Sequence, residues 1–333
     1  MKVLLVRFSS IGDIVLTTPV IRCMKKQAGV ELHMLTFGRF SAVLEHNPYI
    51  DRLITVDHSI SEVLPQLRQN RYDLIVDLHR NIRTLSLKLK LRRPSVSFRK
   101  LNFRKYLLVN LKLNLMPENH IVDRYMATVR RFGVINDGQG LDYFLNPGQG
   151  GPEQLLPAGF HPGYIAFVIG GRYLTKIYPA PMVAEAADQL PLPVVLMGGP
   201  EDRERGELIC RAMQHNIVLN GCGSYSLGES AAVVAGASLV IANDTGLMHI
   251  AAAFGRKILS IWGNTVPALG MGPYLPDHLL HYSTILEMEG VTCRPCSKLG
   301  YAKCPRKHFN CMLMISPENV VNAANDLLAL PPL

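Results

Sequence analysis

Residues 2–19 read KVLLVRFSSIGDIVLTTP, and the fold turns on how the middle of that stretch is taken. "KVLLV" is an unbroken apolar run of strand length, the habit of a parallel sheet covered on both faces. "SSIGD" is a turn, and the residues after it carry apolar side chains at helical spacing. Strand, glycine turn and helix together open a doubly wound sheet, whose ligands gather outside the carboxyl ends of the strands. Such a turn usually offers free N–H groups to a phosphate. Here Asp13 stands where the phosphate would sit, and the second and third glycines of a dinucleotide fingerprint are missing.

The same alternation runs outward. Strands are expected at residues 3–7, 31–36, 52–56, 74–78 and 95–98, with helices near 13–26, 39–46, 60–69, 81–91 and 120–132. The stretch 146–163, NPGQGGPEQLLPAGFHPG, is rich in glycine and proline and suits a linker. Beyond it, strands are expected at 164–169, 194–197, 217–219, 238–242 and 257–262. Helices fit 180–190, 201–215, 227–235 and 245–254. "SPENVVNAANDLLAL" begins a last helix with Ser, Pro and Glu in starting order. The fold class expected is α/β, with two Rossmann-like domains at 1–150 and 160–315 and a terminal helix and tail at 316–333. The domains would face each other across a cleft lined by strand ends.

With 333 residues, 48% of them apolar, the chain can bury two substantial cores. No apolar run reaches the roughly 18 residues of a membrane-spanning helix. Arg7 and Asp13 interrupt the first apolar run too early for a secretory leader, and seven cysteines, an odd number, suit a reducing compartment. A cytoplasmic protein is expected. The net charge of +9 is concentrated in one place. Residues 78–117 hold no Asp or Glu but include Arg80, Arg83, Lys88, Lys90, Arg92, Arg93, Arg99, Lys100, Arg104, Lys105 and Lys112. That run is either a solvated face or a surface for a polyanion.

In the second half, "SLVIANDTGLMHIAAA" is another strand-to-helix turn. Asp244 can cap, and Thr245 and Gly246 open a helix whose N–H groups and dipole attract an anion. On its own this is an ordinary capped helix. Two more turns at strand ends, "VIGGRYLTKIYP" and "LMGGPEDRE", match it in kind, with Lys176 in the first. Three anion-tolerant turns in one domain point to a nucleotide diphosphate.

"DTGLMHIAAAFGRKILSIWGNTVPALGMGPY", "SSIGDIVLTTPVI" and "LMGGPEDRE" resemble the glycosyltransferase family 9 heptosyltransferases, from residue 3 to about residue 320. The resemblance implies the GT-B fold and an inverting, metal-independent transfer of heptose from ADP-heptose to the lipopolysaccharide inner core. It implies Asp13 as general base, where the residues alone also allow a helix cap. It implies Lys176 as the cation on the leaving diphosphate, where the residues alone also allow a surface lysine. Gly171, Arg172, Asp202, Asp244, Thr245, Gly246, Leu247, His249 and Thr265 would surround the donor. Ser10 and Gly12 would meet the anionic acceptor, and so, on charge placement more than on the resemblance, would Arg80 and Arg83 at the start of the helix after residues 74–78. No cofactor is required beyond the donor itself, and no Asp-x-Asp pair occurs to hold a divalent ion. The enzyme would work at the inner face of the cytoplasmic membrane, in peripheral contact with it, and would not bind nucleic acid.

Cys293, Cys296, Cys304 and Cys311 fall within nineteen residues, the first pair at zinc-knuckle spacing, and His308 could replace one ligand. Reduced thiols, zinc and a disulfide pair all stay open, with a structural role favoured over a catalytic one. A transferase using another nucleotide sugar is the rival enzyme. A nucleic-acid-binding protein using residues 80–112 is the rival from another class, and it lacks the recognised motifs. A dehydrogenase lacks the full glycine fingerprint.

Overall fold

A computed structural model describes residues 1–332. Contacts divide the chain into two units, Met1–Lys100 with Asn119–Asn146, and Leu101–Glu118 with Pro147–Leu333. The first holds strands β1 (Lys2–Val6), β2 (Glu31–Phe37), β3 (Arg52–Val56), β4 (Leu74–Asp77) and β5 (Ser95–Ser97), in the sheet order β3-β2-β1-β4-β5. Every pairing is parallel. Val3, Leu4, Leu5 and Val6 are all fully buried, as a strand covered on both faces requires. Sequence order reverses between β1 and β4, which makes the crevice between them the switch point where ligands collect. Val6 lies level with Asp77 there.

The second unit carries β6 (Ile165–Val168), β7 (Val194–Met197), β8 (Val218–Asn220), β9 (Leu239–Asn243), β10 (Ile258–Trp262) and β11 (Ser283–Glu287). They are ordered β11-β10-β9-β6-β7-β8, again all parallel, with the switch point between β9 and β6. Since β9, β6 and β7 are neighbours, the three anion-tolerant turns that follow them stand side by side. The terminal helix Pro317–Ala329 starts with Ser316, whose side chain accepts from Asn319 N–H. It buries Val320, Val321, Ala324 and Leu327 in the core of this unit, so it belongs to the second unit and not to a separate tail.

Several elements differ from the sequence expectation, each for a local reason. The helix expected at 13–26 is two helices, Ile11–Val15 and Thr18–Ala28. Pro19 has no N–H for the preceding turn, and the hydroxyls of Thr17 and Thr18 donate instead to the carbonyls of Ile14 and Val15, both at 2.7 Å. Pro65 interrupts residues 60–69 in the same way, leaving Ile60–Glu62 as a 3₁₀ turn before Leu64–Gln69. Residues 39–46 give a 3₁₀ turn, Gly38–Val43. The linker 146–163 contains the helical turn Pro152–Leu155 and buries Leu156 and Phe160. Residues 101–118 leave the first unit and pack with the second, where Lys112 Nζ donates to the carbonyls of Cys293 and Pro295 at 2.9 and 2.8 Å. The edge strand β11 was not foreseen. It is mostly half-exposed, so its sequence lacks the continuous apolar run that marked the central strands.

Candidate active site

At the switch point of the first unit, Ser10 is the cap of the helix Ile11–Val15, and Asp13 sits three residues into it. Asp13 Oδ2 accepts from Ser10 N–H at 3.2 Å and from Ser10 Oγ at 3.0 Å. Its other oxygen faces Arg7 Nη2 at 2.6 Å. Gly12 is buried beneath them. Arg7 was read from sequence only as an interruption of the apolar run. In the structure it spans the crevice. It donates to Ser9 O at 2.7 Å, to Leu78 O beyond β4 at 2.7 Å, and to the Tyr125 hydroxyl at 2.9 Å. A charged residue closing a buried strand just before a glycine turn was the available signal. Burial pushes the Asp13 carboxyl up, but the Arg7 charge and the Ser10 donors outweigh it and hold the group below its ordinary value. Asp13 is therefore an anion with lone pairs left over for another donor.

His79, also missed from sequence, packs edge-on against Phe8 at 5.4 Å beside this pair. Burial, then the charges of Arg7 and Lys100, push its pKa down to about 4, so it is neutral at physiological pH. Asp77 is buried and accepts from the N–H groups of His79 and Arg80 at 3.1 and 2.6 Å, which shapes the turn after β4. Asn81 then caps the helix Ile82–Leu91 by accepting from Thr84 N–H at 3.0 Å.

The two arginines expected near the acceptor part company. Arg80 donates to Phe98 O at 3.1 Å. Arg83 lines a surface pocket with Phe37, Gly38, Arg39, Val56, Asp57 and His58, at the ends of β2 and β3. Arg39 and Arg83 both lie against the Phe37 ring, at 5.6 and 5.4 Å from its centroid. The pocket presents two cations together.

In the second unit, Lys176 follows β6 and Asp244 follows β9, so their ion pair spans the switch point, with Nζ to Oδ2 at 2.6 Å. Thr265, after β10, donates to the same oxygen at 2.9 Å. The cap of the helix Gly246–Ala253 is Thr245, and Asp244 serves Lys176 and Thr265 in place of capping. Thr245 makes no capping bond, and its buried Oγ1 has no partner among the described residues. The N–H groups of Gly246, Leu247 and Met248 open the helix without intrahelical acceptors. His249, one turn in, is buried. A Cβ on Gly171 would come within 3.1 Å of Ile177, with Thr245 just beyond, so glycine lets the loop after β6 lie close to the helix start.

Arg172 is exposed and stacks on Tyr173. Asp202 is buried, accepting from Gly199 N–H at 3.0 Å and paired with Arg205, which commits both its oxygens to the turn after β7. Asn243, missed from sequence, cross-ties the strand ends. Its amide donates to Val168 O at 3.1 Å and accepts from Tyr178 N–H at 3.1 Å.

The cysteine-bearing segment lies behind these loops. Tyr301 N–H donates to Thr175 Oγ1 at 2.8 Å, and Cys296 N–H to Asn264 O at 3.3 Å. Arg294 donates to the carbonyls of Trp262, Met288 and Thr265 at 3.2, 2.7 and 3.1 Å. The segment thus braces both the Lys176 and the Thr265 loops. All four thiols are free, and Cys293 Sγ lies 3.7 Å from His308 Nε2. Among the described residues no three His, Cys, Asp or Glu side chains are grouped to hold a metal ion.

The family model described as glycosyltransferase family 9 (heptosyltransferase) matches residues 60–286. The chain belongs to glycosyltransferase family 9. It is a glycosyltransferase of the α/β, GT-B kind, as the strand alternation and the quoted motifs led one to expect. It is 26% identical to lipopolysaccharide heptosyltransferase 1 of Pseudomonas aeruginosa, over 99% of each chain. Its fold is similar to that of a family 9 glycosyltransferase from Veillonella parvula, with a TM-score of 0.73, 24% identity and coverage of 98% of this chain and 97% of that one. It is likewise similar to the ADP-heptose lipopolysaccharide heptosyltransferase II of Escherichia coli, with a TM-score of 0.71, 21% identity and 98% coverage of both.

Proposed function

We propose that this family 9 enzyme transfers heptose from ADP-heptose to the lipopolysaccharide inner core, with inversion and without a metal. The observation that carries the reading is the second unit's switch point. There the Lys176–Asp244–Thr265 cluster adjoins a helix start whose N–H groups and Thr245 Oγ1 are uncommitted. A diphosphate placed there meets a cation, a hydroxyl donor and the positive end of a helix dipole. Asp244 holds Lys176 in place until the phosphates arrive. The second unit is thus assigned the donor, with Gly171, Gly246 and Leu247 at the backbone approach and His249 beneath it.

The first unit is assigned the acceptor. Asp13 takes the proton of the acceptor hydroxyl as that oxygen attacks the anomeric carbon from the face opposite the diphosphate. The bond from the anomeric carbon to the phosphate oxygen breaks, its electron pair leaves with ADP, and one displacement inverts the centre. Lys176 and the helix start take up the charge that develops on the leaving group. Ser10 and Gly12 shape the base's turn, and Arg83 with Arg39 meets an anionic group of the acceptor. An acceptor anchored in a membrane places the work at the inner face of the cytoplasmic membrane.

Purified enzyme incubated with ADP-heptose and heptose-free lipopolysaccharide should release ADP and add one heptose per acceptor, at a rate unchanged by EDTA. ADP release without glycosylated acceptor, or transfer only from a different nucleotide sugar, contradicts the reading.

A further inference from the structure

We infer that residues 101–118 form a docking surface for an anionic lipid bilayer. Helical residues Asn102–Tyr106 run directly into a π-helical turn, Leu107–Leu111. Leu108 alone is buried and holds the segment down, while Phe103 is 72% exposed, Tyr106 58% and Leu111 63%. Phe103 and Tyr106, three residues apart, share one side of the helix, and Leu111 closes the π-helical turn that follows. Leu113 and Leu115 continue the apolar run, each about half exposed. Lys112, between Leu111 and Leu113, folds back along the backbone, donating to the carbonyls of Val109, Cys293 and Pro295 at 2.7, 2.9 and 2.8 Å. Two of these bonds tie the segment to the backbone of residues 293–295 while its large apolar side chains stay in water.

Five large apolar residues in thirteen is more than scattered surface exposure. Charge decides what covers them. Arg104 and Lys105 lie between Phe103 and Tyr106, and no Asp or Glu occurs between residues 78 and 117. A second copy of this chain would bring like charge against like charge with no acid to relieve it. A nucleic acid would match the charge and the aromatic rings but leave the leucines without a partner. A bilayer of anionic lipids satisfies both, with phosphates for the cations and an acyl boundary for the rings and leucines.

The first unit repeats the pattern independently. The helix Ile82–Leu91 exposes Ile82, Leu85 and Leu89 at helical spacing and ends in Lys90, Arg92 and Arg93. No helix among the described residues is long and apolar enough to cross a membrane, so the contact proposed is interfacial.

The test is co-sedimentation of the full chain with vesicles of phosphatidylcholine alone or with 30% phosphatidylglycerol (about a third anionic, enough for a strong surface potential). The wild type should pellet with the anionic vesicles and far less with the neutral ones, and added salt should weaken the binding. The triple variant Phe103→Ser, Tyr106→Ser, Leu111→Ser should lose about tenfold or more in partitioning. It should keep the wild-type circular dichroism and the wild-type rate on a soluble acceptor without acyl chains, which separates this inference from the proposed transfer. Absence of binding to anionic vesicles at low salt overturns the inference. So does wild-type vesicle binding by the triple variant, or a solution dimer of the wild type that the variant turns to monomer while vesicle binding persists.

Discussion

Replacing Asp13 with Asn is nearly isosteric and separates what the carboxylate does for the fold from what it does for the reaction. The amide oxygen can still accept from Ser10 N–H, but the charge opposite Arg7 is lost. Breaking a fully buried ion pair costs about 3–5 kcal/mol. Here the cost is smaller, because Asp13 is 26% exposed at its side chain and Arg7 keeps Ser9 O, Leu78 O and the Tyr125 hydroxyl. A loss of about 1–2 kcal/mol is expected against a total of about 5–15 kcal/mol, so the variant stays folded. The rate should fall by about 10²–10⁴-fold, the usual worth of a general base and about 2.7–5.5 kcal/mol of barrier. Urea denaturation reads the first number and steady-state transfer the second, while ADP affinity should not move. Turnover within threefold of wild type would refute the reasoning. If His79→Gln then abolished turnover instead, the neutral imidazole beside Asp13 would be the base.

Because Asp13 is held below the ordinary carboxylate value, kcat/KM should be flat from pH 8 to pH 5. Arg7→Gln should raise the acid limb, as a pH profile of the two proteins would show. By the same linkage, the stability that Asp13 contributes is present above its unfolded value and lost as pH falls through its lower folded value. The urea midpoint of Asp13→Asn should therefore depend less on acid than the wild type's. Thr245→Val removes a hydroxyl with no partner, so the melting temperature should hold while donor KM rises about tenfold, the worth of a hydrogen bond to a charged group. Arg39→Gln with Arg83→Gln should raise acceptor KM several-fold at low salt, and the effect should shrink at high salt, where exposed charges are screened within a few ångströms.

Most of the sheet framework was legible because buried parallel strands read as apolar runs. Residues 194–197 fall on β7, buried throughout, residue for residue, and the partly exposed edge strand β3 also falls on residues 52–56. What was not legible came from chain that is neither fully buried nor regular. β11 is a half-exposed edge strand, and residues 101–118 join the second unit through backbone carbonyls that no side-chain pattern encodes. In the site, the strand-to-helix turns announced themselves through glycine and Asp or Thr at fixed offsets. Their partners did not. Arg7 finds Tyr125 at 118 residues' distance, and Asn243 ties Val168 to Tyr178 across two loops. Asp202 shows the converse, since a carboxylate after a glycine turn served the turn itself.

The central claim is that the second unit holds the nucleotide diphosphate. A crystal structure of the protein soaked with ADP tests it most directly. The account predicts phosphate density at the start of the helix Gly246–Ala253, within hydrogen-bond reach of Thr245 Oγ1 and the Gly246 N–H, with Lys176 Nζ turned from Asp244 toward it. ADP density at the Ser10–Asp13 turn of the first unit, with the Thr245 turn empty, would contradict it.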